Sequence, residues 1–113
     1  MIHIDNNNKN PKYKQIAECI KKDIVTGELA ANQNLISIRA LAENLNVSTI
    51  TVKKAYKDLE SKYIIVSCPR QHYKITDASL TIIQKEKKKE LKEINNYLLK
   101  SLKLYNLDYK DIN

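Results

Sequence analysis

The sequence predicts a mainly α-helical fold with one small β-hairpin, followed by a short helical tail. Apolar residues recur at three- and four-residue spacing in several segments of the 113-residue chain, which is the period of an amphipathic helix. Two β-rich runs flank the segment Cys68-Pro69-Arg70-Gln71, a pattern typical of a hairpin. The single glycine, Gly27, marks a boundary after the first helical segment.

The first helix is expected to begin at Pro11, because proline loses no hydrogen bond in a first helical turn. It should end near Thr26, where Gly27 can adopt the left-handed conformation of a helix cap. Before it, Ile2 and Ile4 alternate with polar residues and are compatible with a short edge strand. The inward positions of this helix are Tyr13, Ile16, Ala17, Ile20 and Ile24.

Residues 28–35 are predicted to be a loop, with Leu29 and Leu35 anchored in the core. Residues 37–55, SIRALAENLNVSTITVKKA, then predict two short helices joined by a tight turn. Asn46 lies where a left-handed residue is tolerated, and Ser48 can cap a third helix that extends to Ser61. This is the outline of a helix-turn-helix.

The third helix has an inward and an outward face. Val52, Ala55, Tyr56 and Leu59 keep the inward spacing. Hydroxyl and ammonium groups on the rest of the helix can bind phosphates and base edges. The residues that offer these groups are Thr49, Thr51, Lys53 and Lys54.

The two β-rich runs cover residues 63–67 and 72–75. Three helices followed by this hairpin predict a winged helix-turn-helix domain over residues 1–77, with Arg70 near the tip of the wing. Tyr56 and Tyr63 fall at inward positions and are expected in or at the edge of the core.

Residues 78–113 are predicted to form a helical dimerisation tail. Asp77 or Ser79 can cap its long helix, and a break at residues 106–108 precedes a short last helix at 109–112. Apolar residues nearly encircle the second half of the long helix, so a partner must cover them. A second copy of the chain is the simplest such partner. The predicted dimerisation residues are Leu91, Ile94, Tyr97, Leu98, Leu102 and Tyr105.

Composition favours a polyanionic partner. The formal net charge is +7 and the sequence pI is about 9.4, and lysine and arginine that neutralise phosphates release condensed counterions. The two cysteines lie in unrelated contexts, which indicates neither a disulfide framework nor a zinc site. No apolar run approaches the ~18 residues of a membrane span. We therefore expect a cytoplasmic protein with no membrane association and no cofactor.

An enzyme is the least favoured class. The sequence lacks a glycine-rich phosphate loop, it contains only His3 and His72 as histidines, and it shows no paired carboxylates in a cleft pattern.

Residues 11–75 resemble the DNA-binding domain of the GntR superfamily of bacterial transcription regulators. The resemblance rests on four blocks in the family's order: PKYKQI at 11–16, DIVTGEL at 23–29, LISIRALA at 35–42 and LNVSTITVKKAYKDLE at 45–60. The tail, with LKLYNLDYKDI at 102–112, resembles the small two-helix dimerisation region of the YtrA-like subfamily. This resemblance implies a homodimeric, repressor-type regulator of a two-fold symmetric double-stranded DNA operator.

The resemblance also assigns roles to single residues. Arg39 matches the arginine that opens the second helix and reaches DNA, and Thr51 matches the threonine that grips a phosphate. Thr49 and Lys53 stand where the family places base-reading side chains. The predicted DNA-binding residues are Ser37, Arg39, Ser48, Thr49, Thr51, Lys53, Lys54, Arg70, Gln71 and His72.

Three positions depart from the family pattern. Ile36 replaces a proline, Asn32 replaces a loop glycine, and residues 69–71 replace the glycine-rich wing tip. An arginine such as Arg70 suits a narrow, electronegative minor groove, although Arg70 and His72 can also serve only the turn.

Other interpretations stay open at this point. Arg39 can simply pair with Glu43 on the helix surface, and the lysines of the third helix can form a solvated face. The whole domain can also be a protein-interaction or assembly module with only non-specific DNA affinity. The apolar tail is the observation that favours this alternative. A small-molecule effector is conceivable in the crevice between tail and winged domain, although the tail is too small to hold a pocket of its own.

Overall fold

The computed structural model describes residues 2–113, with the backbone alone at Gln71. A helical array precedes one antiparallel hairpin, so the predicted fold class is confirmed. A tight turn at Pro69–Gln71, which contains the left-handed residue Arg70, and a 3₁₀ turn at Tyr109–Ile112 complete the chain. The chain divides into two compact units between Ile83 and Gln84. The elements are α1 (Lys12–Thr26), α2 (Ile38–Leu45), α3 (Thr49–Ser61), β1 (Ile65–Cys68), β2 (His72–Ile75) and α4 (Ser79–Leu104).

The predicted helix ends are confirmed by their caps. Pro11 is the N-cap of α1, and Gly27 ends that helix with φ 88°. Ser37 caps α2 by accepting a hydrogen bond from the Ala40 amide at 3.1 Å. Asn46 ends α2 in the left-handed conformation, with φ 53°. Gly27, Ser37 and Asn46 each make a hydrogen bond with a backbone group at a helix end, whereas Pro11 makes no side-chain capping bond.

The core of the first unit surrounds Tyr56, which is fully buried on α3. Its hydroxyl donates a 2.6 Å hydrogen bond to the Ile36 carbonyl, and its ring meets Tyr73 edge to face at 5.3 Å between centroids. Burial, followed by the neighbouring Tyr73, raises the pKa of Tyr56 well above the ordinary tyrosine value. The other fully buried large side chains are Ile16, Ile20, Val52, Leu59, Ile64, Ile65 and Ile75.

The predicted 28–35 loop contributes more than its two anchors. Leu35 is buried, as expected, but the backbone around it also pairs with β2. The Leu35 amide donates to the Tyr73 carbonyl at 2.8 Å, and the Ile75 amide donates to the Gln33 carbonyl at 3.0 Å. The edge of β2 that does not pair with β1 is therefore covered by the backbone around Leu35. These hydrogen bonds connect the wing to the segment that leads into α2.

Two local predictions were wrong. Ile2 and Ile4 are not part of a strand, although both pack against the core. Tyr63 is 72% exposed instead of inward, because its φ of 64° turns the side chain out of the strand path. For the same reason the first strand begins at Ile65, two residues later than predicted.

Asn32 replaces the family's loop glycine without losing the glycine conformation. Its φ is 67°, its amide donates to the Ile75 carbonyl at 2.7 Å, and its Nδ2 donates to Asp77 Oδ1 at 2.7 Å. Asparagine tolerates the left-handed region better than other residues with a Cβ atom. The side-chain hydrogen bond adds a contact that glycine cannot make.

This geometry predicts the outcome of substitution at position 32. Asn32→Ala should lower the free energy of unfolding by about 1–2 kcal/mol, the cost of a left-handed residue that has no compensating side chain. Asn32→Gly should lose less than alanine, because glycine adopts this conformation freely. Urea unfolding measures both. Asn34→Ala is the matched control in the same segment, since Asn34 has no positive φ, and an equal loss in Asn34→Ala would contradict the argument.

The second unit contains the rest of α4 and the last turn of the chain. Asn106 breaks the helix with φ 53°, and the Leu107 amide donates to the Leu102 carbonyl at 2.8 Å. Asp108 then caps Tyr109–Ile112 in a capping box with Asp111, so the predicted last helix is a 3₁₀ turn. Across residues 2–113, the helices include none with both the length and the apolar character to cross a membrane.

Candidate nucleic-acid interface

The candidate interface lies on α2, α3 and the hairpin, all within the first unit. On α2, the Arg39 side chain is 88% exposed and its Nε is 4.0 Å from Glu43 Oε1. A pair at that distance on a solvated surface contributes little to stability, so it restrains Arg39 weakly. Arg39 is available to a ligand without first breaking a strong contact.

The N-terminal turn of α3 is organised by Ser48. Its Oγ accepts a hydrogen bond from the Thr51 amide at 3.1 Å and lies 2.9 Å from Thr51 Oγ1. The two hydroxyls therefore fix each other's positions, while Thr49 and Lys53 are exposed beside them. A preformed turn of this kind presents hydroxyl and ammonium donors together with the positive end of the helix dipole, which suits an anionic ligand.

Lys54 lies apart from this group. Its Nζ is 4.2 Å from the centroid of the Tyr13 ring on α1, within the range of a cation–π contact. Lys54 is exposed, but this contact draws its ammonium group toward α1. The predicted DNA-binding residues of α3 are thus divided between the N-terminal turn and the side of the helix that faces α1.

Ile50 is a residue of this surface that the sequence interpretation missed. It lies between Thr49 and Thr51 and is 77% exposed, the highest value among the exposed large apolar side chains of the described residues. A signal was present in the sequence, because Ile50 falls outside the inward spacing of Val52, Ala55 and Leu59. The predicted DNA-binding residues include only polar and charged side chains, so Ile50 is not among them.

The wing tip replaces the family's glycines with a left-handed arginine. Arg70 has φ 68° and ψ 27°, within Pro69–Gln71, and its side chain is exposed. His72 is half-buried at the start of β2, where it pairs with Cys68 in the register. Gln71 was also predicted to bind DNA, but its side chain lies outside the described part of the chain.

A side-chain contact fastens the wing to α3. The Ser67 hydroxyl of β1 donates to the Glu60 carboxylate, and Lys57 lies 3.5 Å from the same carboxylate. The hydrogen bond from Ser67, and then the charge of Lys57, lower the pKa of Glu60. The hairpin is therefore anchored to the same helix that carries Thr49 and Thr51.

The predicted dimerisation residues lie in the second unit and differ in exposure. Leu91, Ile94, Tyr97 and Tyr105 are exposed, and Leu98 is half-buried. Leu102 is only 9% exposed, so it packs within one copy of the chain and offers little surface to another. Other exposed apolar side chains of this unit are Leu99, Leu104, Leu107, Tyr109 and Ile112.

Comparison with known proteins agrees with this architecture. Residues 12–75 match the family described as bacterial regulatory proteins, gntR family. The chain is 32% identical over 93 residues to the HTH-type transcriptional repressor YtrA of Bacillus subtilis (strain 168), which covers 82% of this chain and 72% of that protein.

Two solved structures extend the similarity to the fold. YtrA from Sulfolobus acidocaldarius, a GntR-family transcription factor, shows 37% identity and a TM-score of 0.64, covering 80% of this chain and 96% of that one. A GntR family transcriptional regulator from Listeria monocytogenes shows 28% identity and a TM-score of 0.71, with 96% and 93% covered.

The fold and its exposed helix define a winged-helix DNA-binding regulator, and not an enzyme. The matched region covers more than half of the chain, and the bacterial repressor is similar over most of its length. The chain belongs to the GntR family and is a YtrA-like transcription regulator.

Proposed function

We propose that the chain acts as a homodimeric repressor that binds a palindromic operator through α3 and Arg39. The observation that carries the proposal is the capped, exposed N-terminal turn of α3. Ser48 and Thr51 hold each other in place there, with Thr49 and Lys53 exposed beside them. Phosphate contacts from hydroxyls set the register of the helix in the major groove, and exposed side chains of the same turn reach base edges.

The second unit supports the dimer. Several large apolar side chains of α4 are exposed, among them Ile94 and Tyr97, and soluble monomers rarely leave such residues clustered. A second copy that packs against them buries this surface and creates a two-fold axis. The α3 helices of the two copies, which we call the recognition helices, then meet half-sites about 10 bp apart, or a small multiple of that distance.

Repression follows from operator occupancy. The similar protein from Bacillus subtilis is named a transcriptional repressor, and a regulator that occupies an operator blocks access to it. Because such a regulator acts on genomic DNA, we place it in the cytoplasm.

Selection of bound duplexes from a random pool tests the proposal. The selected duplex and a scrambled one are then compared by equilibrium titration at one fixed salt concentration. We expect a palindrome whose affinity exceeds that of the scrambled duplex by about 10³-fold or more. Equal affinities with a steep salt dependence would contradict the proposal. They would instead favour the assembly module that the exposed apolar tail also allows.

Arg39 provides a sharper test of the proposed interface. Arg39→Ala should weaken operator binding by about 1–3 kcal/mol, because it removes one good base or phosphate contact. Gel-shift titration against the selected duplex measures the loss. Lys22→Ala on α1 is the matched control, since it removes the same charge from another exposed position. If the two substitutions weaken binding equally, Arg39 contributes only its positive charge and makes no specific contact with the operator.

A further inference from the structure

Ile50 is an apolar side chain in the middle of a polar, cationic surface. It follows Thr49 directly, and Lys53 and Lys54 lie three and four residues further on, which makes them its neighbours on the helix surface. Ile50 is 77% exposed, so it contributes almost nothing to the core. Isoleucine is also a weaker helix former than alanine or a straight-chain residue, so local helix stability does not favour it.

The residues around Ile50 limit the kinds of ligand that it can contact. A single exposed apolar residue does not form the contiguous patch that a protein partner needs. The neighbouring hydroxyl and ammonium groups favour a polyanion, as does the net charge of +7. A ligand that matches this surface is therefore anionic overall and carries a small apolar group that contacts Ile50.

We infer that Ile50 is a specificity-determining residue that reads thymine through its C5-methyl group. The inference rests on the proposed function, because it requires α3 to enter the major groove. Among the four unmodified bases, only thymine presents a methyl group in that groove, and apolar side chains contact it. Thr49 and Lys53, on either side, bind acceptors on phosphates and base edges. Ile50 adds selection for a T·A pair at one position of each half-site.

Replacing thymine with uracil tests this directly, because uracil keeps the base pair and lacks the methyl group. Each conserved thymine of the selected duplex is replaced in turn, in both half-sites, and binding is measured by titration. At one position the wild-type protein should lose about fourfold in affinity per half-site, or about fifteenfold for both, the value of one buried methyl group.

The Ile50 variants identify the side chain responsible. Ile50→Ala should lose most of the preference for thymine, because its single methyl group extends less far from the helix, whereas Ile50→Val, which keeps a branched apolar end, should retain more of it. Val25→Ala, at an exposed apolar position of α1, is the control and should keep the full preference. Circular dichroism confirms that each variant is folded.

The possible failures are distinguishable. If a palindrome is selected but no thymine-to-uracil change matters, or if Ile50→Ala keeps the penalty unchanged, the reading of thymine by Ile50 is wrong and the proposed function stands. If the wild-type protein selects no sequence, the proposed function fails and this inference fails with it.

Discussion

Replacing Tyr56 with alanine is expected to lower the free energy of unfolding by about 3–5 kcal/mol. The ring is fully buried and packs against Tyr73, so its removal leaves a cavity in the centre of the first unit. A small domain has a total stability of only about 5–15 kcal/mol, which makes this loss close to the limit for folding. Urea unfolding followed by circular dichroism measures it.

Two further variants separate the packing of Tyr56 from its hydrogen bond. Tyr56→Phe keeps the ring and removes the donor to the Ile36 carbonyl, and should cost about 0.5–1.5 kcal/mol. Tyr63→Ala is the control, since that ring is largely exposed and should change stability by no more than about 0.5 kcal/mol. Similar losses in Tyr56→Ala and Tyr63→Ala would refute the central position of Tyr56.

The raised pKa of Tyr56, which burial and then the neighbouring Tyr73 cause, makes the stability of the fold depend on pH in the alkaline range. In the folded chain this hydroxyl keeps its proton above the pH at which an unfolded tyrosine ionises, about 10. The stabilisation is therefore complete below that pH and is lost progressively as the pH rises above it, toward the higher pKa of the folded state. Tyr56→Phe should lose this component of the alkaline dependence.

Ile94→Asp is expected to convert the proposed dimer to a monomer and to weaken operator binding about a hundredfold or more. Ile94 is exposed on α4 among the apolar residues that we propose a second copy covers. In a two-fold interface the substitution introduces two carboxylates, whose desolvation opposes association. Without the dimer, each recognition helix binds its half-site independently. Analytical ultracentrifugation measures the mass, and titration with the selected duplex measures the affinity.

Asn96→Asp is the matched control. It adds the same charge two residues further along α4, about 200° around the helix from Ile94, where Lys92 and Lys100 lie one turn away on either side. We expect it to remain dimeric and to bind nearly as well as the wild type. If Ile94→Asp also remains dimeric, the interface lies elsewhere on the chain.

The helices could be predicted because their signals are local. The apolar spacing of α1 and α3 follows directly from the helical period. Pro11 and Gly27 bound α1, and the side chains of Ser37 and Ser48 cap the first turns of α2 and α3. These features depend on residues within one or two turns. The predicted ends of α2 and α3 therefore lie within one or two residues of the observed ones.

What escaped prediction depends on contacts between distant parts of the chain, or on backbone conformation without a glycine signal. The pairing of Gln33 and Leu35 with β2 joins segments about forty residues apart, and no local pattern encodes it. Tyr63 reads as a strand residue because tyrosine favours strands, but its left-handed backbone removes it from the strand.

The same distinction applies to the candidate site. The exposure of Arg39 and the cap formed by Ser48 follow from local spacing. The contact between Lys54 and Tyr13 joins two helices separated by the whole of α2, so the position of that ammonium group along the surface could not be foreseen.

The left-handed arginine of the wing tip links stability to function. A residue with a Cβ atom in this conformation costs roughly 1–2 kcal/mol, which glycine does not. Glycine at position 70 would therefore stabilise the hairpin. An arginine there trades folding free energy for a cationic side chain at the end of the hairpin. A variant with glycine in place of Arg70 should therefore be more stable than the wild type, and it should bind its operator less tightly.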